Sequence, residues 1–343
     1  LNLGLKPVFV EIDKETKCLD ITDLKKKINS KTRVVLTTYL TGILPDISQI
    51  KLICDKNNIS LIEDISQSYG SLSGLTKAGS FGFAAIGSLS PAKIISSVGG
   101  GFILLDDVEK IDFIDEAIKS ELSLPSKKTL LGICSFQIKV SIATSKYVFP
   151  FLTYYIFFIL SKLFKNKFNE MHHPTFKYSH KDKTIYDNPL IQRKLPNEIF
   201  FYFTDLQAKI AIKTFYQNIH YGLKKRQLLA KILYENLNDR AKKYIPKIIT
   251  KYNENCFWHF PIILENVLLE KFKDFLMSKG YDVVGYGLKL CSNETVFDAY
   301  KSNLMCADVV HKNTLFLPLF DNLNESQTAK IAKDINLFFQ ESR

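Results

Sequence analysis

The chain reads as an α/β protein. It carries a mainly parallel sheet in a large domain, a small C-terminal α/β domain, and a basic, aromatic segment inserted between them. Three observations predict this. Short apolar runs alternate with helix-like stretches through residues 7–104. The same alternation returns from Phe257 to Phe339, and residues 125–197 break it. A length of 343 residues with 46% apolar composition is enough to build a large core.

In chain order, Val8-Phe9-Val10 and Val34-Val35-Leu36 read as strands. Ile47 to Lys56 has helical spacing, with Ile47, Ile50, Ile53 and Cys54 on one face. Leu61-Ile62, Ala84-Ala85-Ile86 and Phe102-Ile103-Leu104-Leu105 are strands again. Near-continuous apolar strands separated by helices argue for a parallel sheet buried on both faces. In such sheets functional groups collect at strand ends and the loops that follow, and Glu63-Asp64 sits at one such end. A long helical pattern runs from Phe203 to about Leu237, and strand, helix, strand, helix completes the chain. The expected domains are 1–124, a large domain whose N-terminal part is missing; 125–197, the insertion; 198–237, the end of the large domain and a linking helix; and 238–343, the small domain. The sequence opens at Leu1 directly into what reads as a strand interior. Upstream sequence is therefore expected, and no signal peptide is visible.

The formal charge is +11, from 46 Lys and Arg against 35 acids, and it is unevenly placed. Between Pro125 and Leu195 twelve basic residues face three acids, a net +9 that holds nearly all the excess. The six cysteines are scattered without CxxC spacing, which fits reduced thiols in a cytosolic protein and no zinc or disulfide framework. Cys54 reads as a small buried hydrophobe. His172-His173 has no matching ligand cluster, so no metal is expected.

The chemistry concentrates between Glu63 and Gly101. Glu63-Asp64-Ile65-Ser66-Gln67 ends an apolar strand, Ser88-Leu89-Ser90-Pro91-Ala92-Lys93 follows a second one, and Gly99-Gly100-Gly101 lets the backbone turn tightly. In this order and at this spacing the segment resembles the cofactor half-site of the DegT/StrS-type sugar aminotransferases, which use pyridoxal phosphate (PLP) and have the PLP fold type I. The resemblance implies that Lys93 is the catalytic lysine holding the cofactor aldehyde as a Schiff base. It implies that Asp64 faces the pyridine nitrogen, Gln67 lies near O3′, and Ser88 contacts the phosphate. It extends to Lys6–Asp13, Thr37–Gly42, Thr204–Ala208, Trp258–Leu264 and Leu315–Leu319, nearly the whole chain except residues 125–197.

The family's phosphate-binding Gly-Thr turn and ring-stacking aromatic would lie upstream of Leu1. Tyr202, Phe200 and Gly99 stand where the family has an Arg, an Asn and an acid. The implied activity is amino transfer, with glutamate as the expected donor, to a keto sugar, nucleotide-linked, in polysaccharide or glycoconjugate synthesis, by a homodimer. The rival reading is a PLP-fold scaffold or binding protein that no longer catalyses.

Within the insertion, Tyr147 to Leu160 is a fourteen-residue apolar run flanked by Lys146, Lys162, Lys165 and Lys167. That is too short to span a bilayer, which takes about 20 helical residues. Two readings stay open for 147–167: re-entrant or interfacial docking on the inner face of a membrane, or burial against the enzyme or its dimer partner. Its apolar density argues against a nucleic-acid face.

Overall fold

The computed structural model describes residues 4–91, 93–163, 201–285 and 290–341. Part of the insertion, including His172-His173, lies outside the described residues, as does Phe200. The chain forms two compact units. The larger comprises Val10–Val108, Leu206–Tyr286 and Leu304–Arg343, and the smaller comprises Leu1–Phe9, Glu109–Asp205 and Gly287–Asn303.

In the larger unit, α1 (Ile21–Lys27) starts on an N-cap bond from the Asp23 N–H to the Asp20 side chain. It leads into β1 (Val34–Thr38), α2 (Ile47–Lys56) and β2 (Ser60–Asp64). α2 spans the range its periodicity predicts and buries Ile47, Ile50 and Cys54. A short hairpin, β3 (Leu72–Ser73) with β4 (Thr76–Lys77), precedes β5 (Ala84–Ser88) and β6 (Gly101–Leu104). The sheet order is β1-β2-β5-β6. β1, β2 and β5 are parallel, and β6 returns antiparallel to β5.

Two expectations change. Val8-Phe9-Val10 is not a strand, because no neighbour pairs with it among the described residues; only an isolated bridge joins Ile12 to Leu19. The sheet is also not buried on both faces. Strand alternation sends Val35, Thr37, Leu61, Glu63 and Ala85 to a buried face, whereas Val34 and Leu36 on the other side of β1 are exposed.

After the sheet and the helices α3 to α5 of the smaller unit, α6 (Asp205–Gln217) and α7 (Leu223–Glu235) are joined through a wide turn at Asn218–Gly222. The one-turn α8 (Asp239–Lys242) follows. Next come β7 (Phe260–Ile263), α9 (Asn266–Ser278), β8 (Val284–Gly285), α10 (Met305–Asn313), β9 (Thr314–Leu317) and α11 (Glu325–Glu341). Their three strands form an antiparallel sheet in the order β7-β9-β8. Its core is apolar and rich in phenylalanine: Phe260, Phe272, Phe338 and Phe339 close around Leu233 and Leu317.

The smaller unit is mostly helical where described. It holds α3 (Val108–Glu121), α4 (Lys127–Ala143) and α5 (Tyr154–Leu163), the last entered through a wide turn at Phe149–Thr153 that contains Pro150. Ser126 caps α4 by accepting from the Thr129 N–H. The sequence does not mark α4 as amphipathic, because apolar residues such as Leu130, Ile133 and Val140 accompany the line of Leu131, Ile138 and Ile142 on other sides of the helix. Among the described residues no helix is long and apolar enough to cross a membrane.

Candidate active site

The acid pair is divided by the pleat of β2. Glu63 and Asp64 are consecutive, so they point to opposite faces. Glu63 turns inward and is fully buried. Its carboxylate accepts from the Tyr39 hydroxyl at 2.7 Å and from the backbone N–H groups of Gly79, Phe81 and Gly82 at 2.8, 2.7 and 2.7 Å. Four donors on two oxygens satisfy a buried charge and tie the loop before β5 to the sheet. Burial, with Glu63 beside it, pushes the Tyr39 phenol far up and keeps it a neutral donor.

Asp64 lies on the opposite face, paired in register with Thr38 and Ile86. Its Oδ1 accepts from the Ser66 N–H at 2.9 Å, which turns the chain off the sheet. Ser88 ends the neighbouring strand two residues beyond Ile86, on the same face as Asp64. Both therefore sit at the C-terminal ends of adjacent parallel strands, where open α/β sheets place their ligands. The Ser88 Oγ accepts from the Ser90 N–H at 3.3 Å, and the Ser88 carbonyl accepts from the Tyr69 hydroxyl.

Gln67 is buried, and its side-chain Oε1 accepts from the Thr41 N–H at 2.8 Å. This bond holds the Tyr39–Gly42 loop, where Thr41 takes φ +63°. Gly42, at φ +90°, leaves no room for a Cβ, which would lie 2.5 Å from the Cys256 Sγ. The Cys256 Sγ donates to the Gln67 carbonyl at 3.2 Å, and the His259 N–H donates to the Thr41 carbonyl at 3.3 Å. The segment entering β7 is thereby brought to the mouth of the first sheet.

That segment supplies Trp258, whose ring carries the Lys93 Nζ at 4.3 Å from its centroid. Lys93 is largely desolvated, which lowers its amine below the ordinary lysine range, and the Asp64 charge partly opposes this. The sequence marks Trp258 only as the start of a strand and not as a site residue. Nothing local marks it, because the contact joins positions more than 160 apart.

The backbone after Lys93 is clamped by one stripe of polar side chains. The Gln207 Nε2 donates to the Gly99 carbonyl at 3.4 Å, the Thr214 Oγ1 donates to the Ser96 carbonyl at 2.6 Å, and the Asn218 Nδ2 donates to the Ile94 carbonyl at 2.6 Å. Positions 207, 214 and 218 lie seven and four apart and so share one side of the helix. Gly99 adopts φ +114°, a conformation an acidic side chain would strain, which accounts for glycine at that position.

The structure thus brings Asp64 and Lys93 within electrostatic reach, puts Ser88 on the same sheet face as Asp64 two residues further along the neighbouring strand, and leaves Gln67 on the loop that follows β2. This donor set fits PLP: a carboxylate, a desolvated lysine amine, a strand-end hydroxyl and an amide. A separate cleft of about 420 Å³, lined by Gly70, Tyr221, Leu223, Lys224 and Gln227 among others, includes none of these four residues.

Residues 1–121 match the DegT/DnrJ/EryC1/StrS aminotransferase family. The chain is 35% identical over 104 residues to GDP-perosamine synthase of Vibrio cholerae, an alignment covering 30% of this chain and 28% of that enzyme. It is 32% identical over 107 residues to L-glutamine:2-deoxy-scyllo-inosose aminotransferase of Streptomyces kanamyceticus, covering 31% and 25%. The matched segment therefore spans little more than a quarter of these relatives. Among solved structures, a DegT DnrJ EryC1 StrS aminotransferase from Brucella abortus superposes with a TM-score of 0.67 at 20% identity, covering 98% of this chain and 74% of that one. PseC of Helicobacter pylori, an aminotransferase involved in the biosynthesis of pseudoaminic acid, gives 0.68 at 16% identity, with 98% and 74% covered. These likenesses establish the fold. One further neighbour, NtdA of Bacillus subtilis, carries bound PMP; it gives 0.62 at 18% identity, with 98% and 63% covered.

Proposed function

We propose that this protein, whose residues 1–121 match the DegT/DnrJ/EryC1/StrS aminotransferase family, is a PLP-dependent aminotransferase acting on a keto sugar. The reading extends to a nucleotide-linked sugar destined for polysaccharide or glycoconjugate, with glutamate as donor. The observation that carries it is the desolvated Lys93 amine within reach of the Asp64 carboxylate at the ends of parallel strands. The same reading includes a homodimer in the cytoplasm, with residues 147–167 touching the inner face of the membrane. It also keeps the division at 1–124, 125–197, 198–237 and 238–343.

PLP, when bound, supplies an electron sink conjugated to the carbon that loses or gains the amino group. The residues that would hold it are Asp64 at the ring nitrogen, Gln67 at O3′, Ser88 at the phosphate and Lys93 at the aldehyde. Each has a reason in its own bonding. Lys93 loses its proton more readily than an exposed lysine, so its amine is available as nucleophile and then as the base that moves a proton at the reacting carbon. The Gln67 oxygen is engaged by Thr41, which leaves its N–H₂ end to donate to an anionic oxygen. The Ser88 Oγ already accepts from Ser90, which leaves its O–H to donate to a phosphate. Asp64 would supply the charge that keeps a ring nitrogen protonated when the cofactor is bound, while Glu63 is consumed by the fold.

Borohydride treatment of the PLP-loaded full chain should leave a pyridoxyl mass on the peptide containing Lys93, and Lys93→Ala should abolish both this and transfer from glutamate to a keto-sugar nucleotide. Cofactor retained by Lys93→Ala after dialysis and borohydride would overturn the lysine assignment. A full-length protein that fails to bind PLP would make the fold a scaffold instead.

A further inference from the structure

We infer that α4 and α5 together form a docking element for an anionic lipid surface. This rests on the proposed location at the membrane face and adds to it: α4, which no reading of 147–167 included, becomes half of the contact.

Three observations carry it. α4 buries none of its residues. Leu131, Ile138 and Ile142 are 70%, 60% and 57% exposed and lie seven and four apart, so they make one apolar stripe along the helix. Leu152, Tyr155, Ile156, Ile159 and Leu163 make a second exposed stripe, at intervals of three, one, three and four, through the wide turn and α5. The corner between the helices is closed by a bond from the Thr153 Oγ1 to the Ala143 carbonyl at 2.7 Å, and Tyr147 and Phe151 are exposed around it.

Charge selects the occupant. From Leu122 to Leu163 there are five lysines, at 127, 128, 139, 146 and 162, and no Asp or Glu. Lys128 and Lys139 are eleven apart, three turns, and so lie on one line of α4 beside its apolar stripe. A second copy of the same surface would set lysines against lysines with no acid to answer them. An anionic bilayer meets both features, taking apolar side chains at the acyl boundary and lysine ammonium groups at the phosphates. α4 is roughly 25 Å long at 1.5 Å per residue and neither helix is apolar over a span, so the pair lies in the interface and does not cross.

The test is co-sedimentation of the PLP-loaded full chain with vesicles of phosphatidylcholine alone or with about a third phosphatidylglycerol. Binding is expected only to the anionic vesicles. Ile138→Ser with Ile142→Ser, in α4, should weaken it at least tenfold, and Ile156→Ser with Ile159→Ser should do the same in α5. Lys127→Gln, Lys128→Gln and Lys139→Gln sit on the surface and leave the packing untouched. Each should cost about fivefold and flatten the dependence on salt. None of these residues is among those proposed to hold the cofactor, so cofactor trapping on Lys93 should be unchanged and separates this test from the proposed chemistry. Wild type that ignores anionic vesicles would overturn the inference. So would α4 variants that bind lipid normally, or serine variants that change the oligomer seen by light scattering instead of the lipid affinity.

Discussion

Replacing Glu63 by Gln tests whether the first acid of the pair is structural. The side chain keeps its size but exchanges one oxygen for an N–H₂ group. If the amide nitrogen takes the place of Oε1, it faces two backbone donors, Phe81 and Gly82. At Oε2 it faces the Gly79 N–H and the Tyr39 hydroxyl, and only the hydroxyl can rotate to accept. The cheaper arrangement therefore still strands at least one buried N–H, at about 1–3 kcal/mol. The remaining bonds lose their charge assistance, roughly half their strength. Relief of a buried charge offsets part of this, and the expected loss is about 3 kcal/mol. The chain has one tryptophan, Trp258, and it belongs to the larger unit, so urea unfolding followed by its fluorescence reports the right part of the molecule. Tyr39→Phe removes a single donor and should cost about 1–2 kcal/mol, with the double variant less than additive because the two share a bond. A Glu63→Gln midpoint equivalent to wild type within about 0.5 kcal/mol would refute the reasoning, since desolvation would then cancel the hydrogen bonds entirely.

Lys17 is fully buried, its Nζ meets no hydrogen-bond partner, and burial lowers its pKa from 10.5 to about 8. Below pH 8 folded and unfolded chains are both protonated and the cost is fully present, roughly 3 kcal/mol; between about 8 and 10.5 only the unfolded chain keeps the proton, so stability rises with pH. Lys17→Met should stabilise the protein at pH 7 and remove that rise, and a pH-stability profile that keeps its slope in the variant would contradict this. Asp64→Asn removes the charge that raises the Lys93 pKa, so the amine should be acylated at lower pH than in wild type, measured by peptide mass after brief reagent exposure. An unchanged profile would mean that the two groups do not sense each other. The same variant should still bind PLP and lose turnover.

What the sequence determined by itself is local or carried by motif. α2 follows from apolar spacing and β2 and β5 from short apolar runs, while the proposal of Asp64, Gln67, Ser88 and Lys93 as site residues comes from a family resemblance carried by about thirty residues. The tertiary structure decided what depends on distant partners. It gave Glu63 its structural part, because the pleat turns that carboxylate inward to the Tyr39 hydroxyl and the loop at 79–82 and leaves Asp64 on the other face. It placed Trp258 under Lys93 and laid the Gln207, Thr214 and Asn218 stripe along the backbone after the lysine. It denied Val8–Val10 a strand, since a strand exists only where a neighbour accepts its hydrogen bonds. It also drew α4 into the exposed apolar surface, which periodicity alone could not do, because whether an apolar stripe is core or surface is settled by what packs against it.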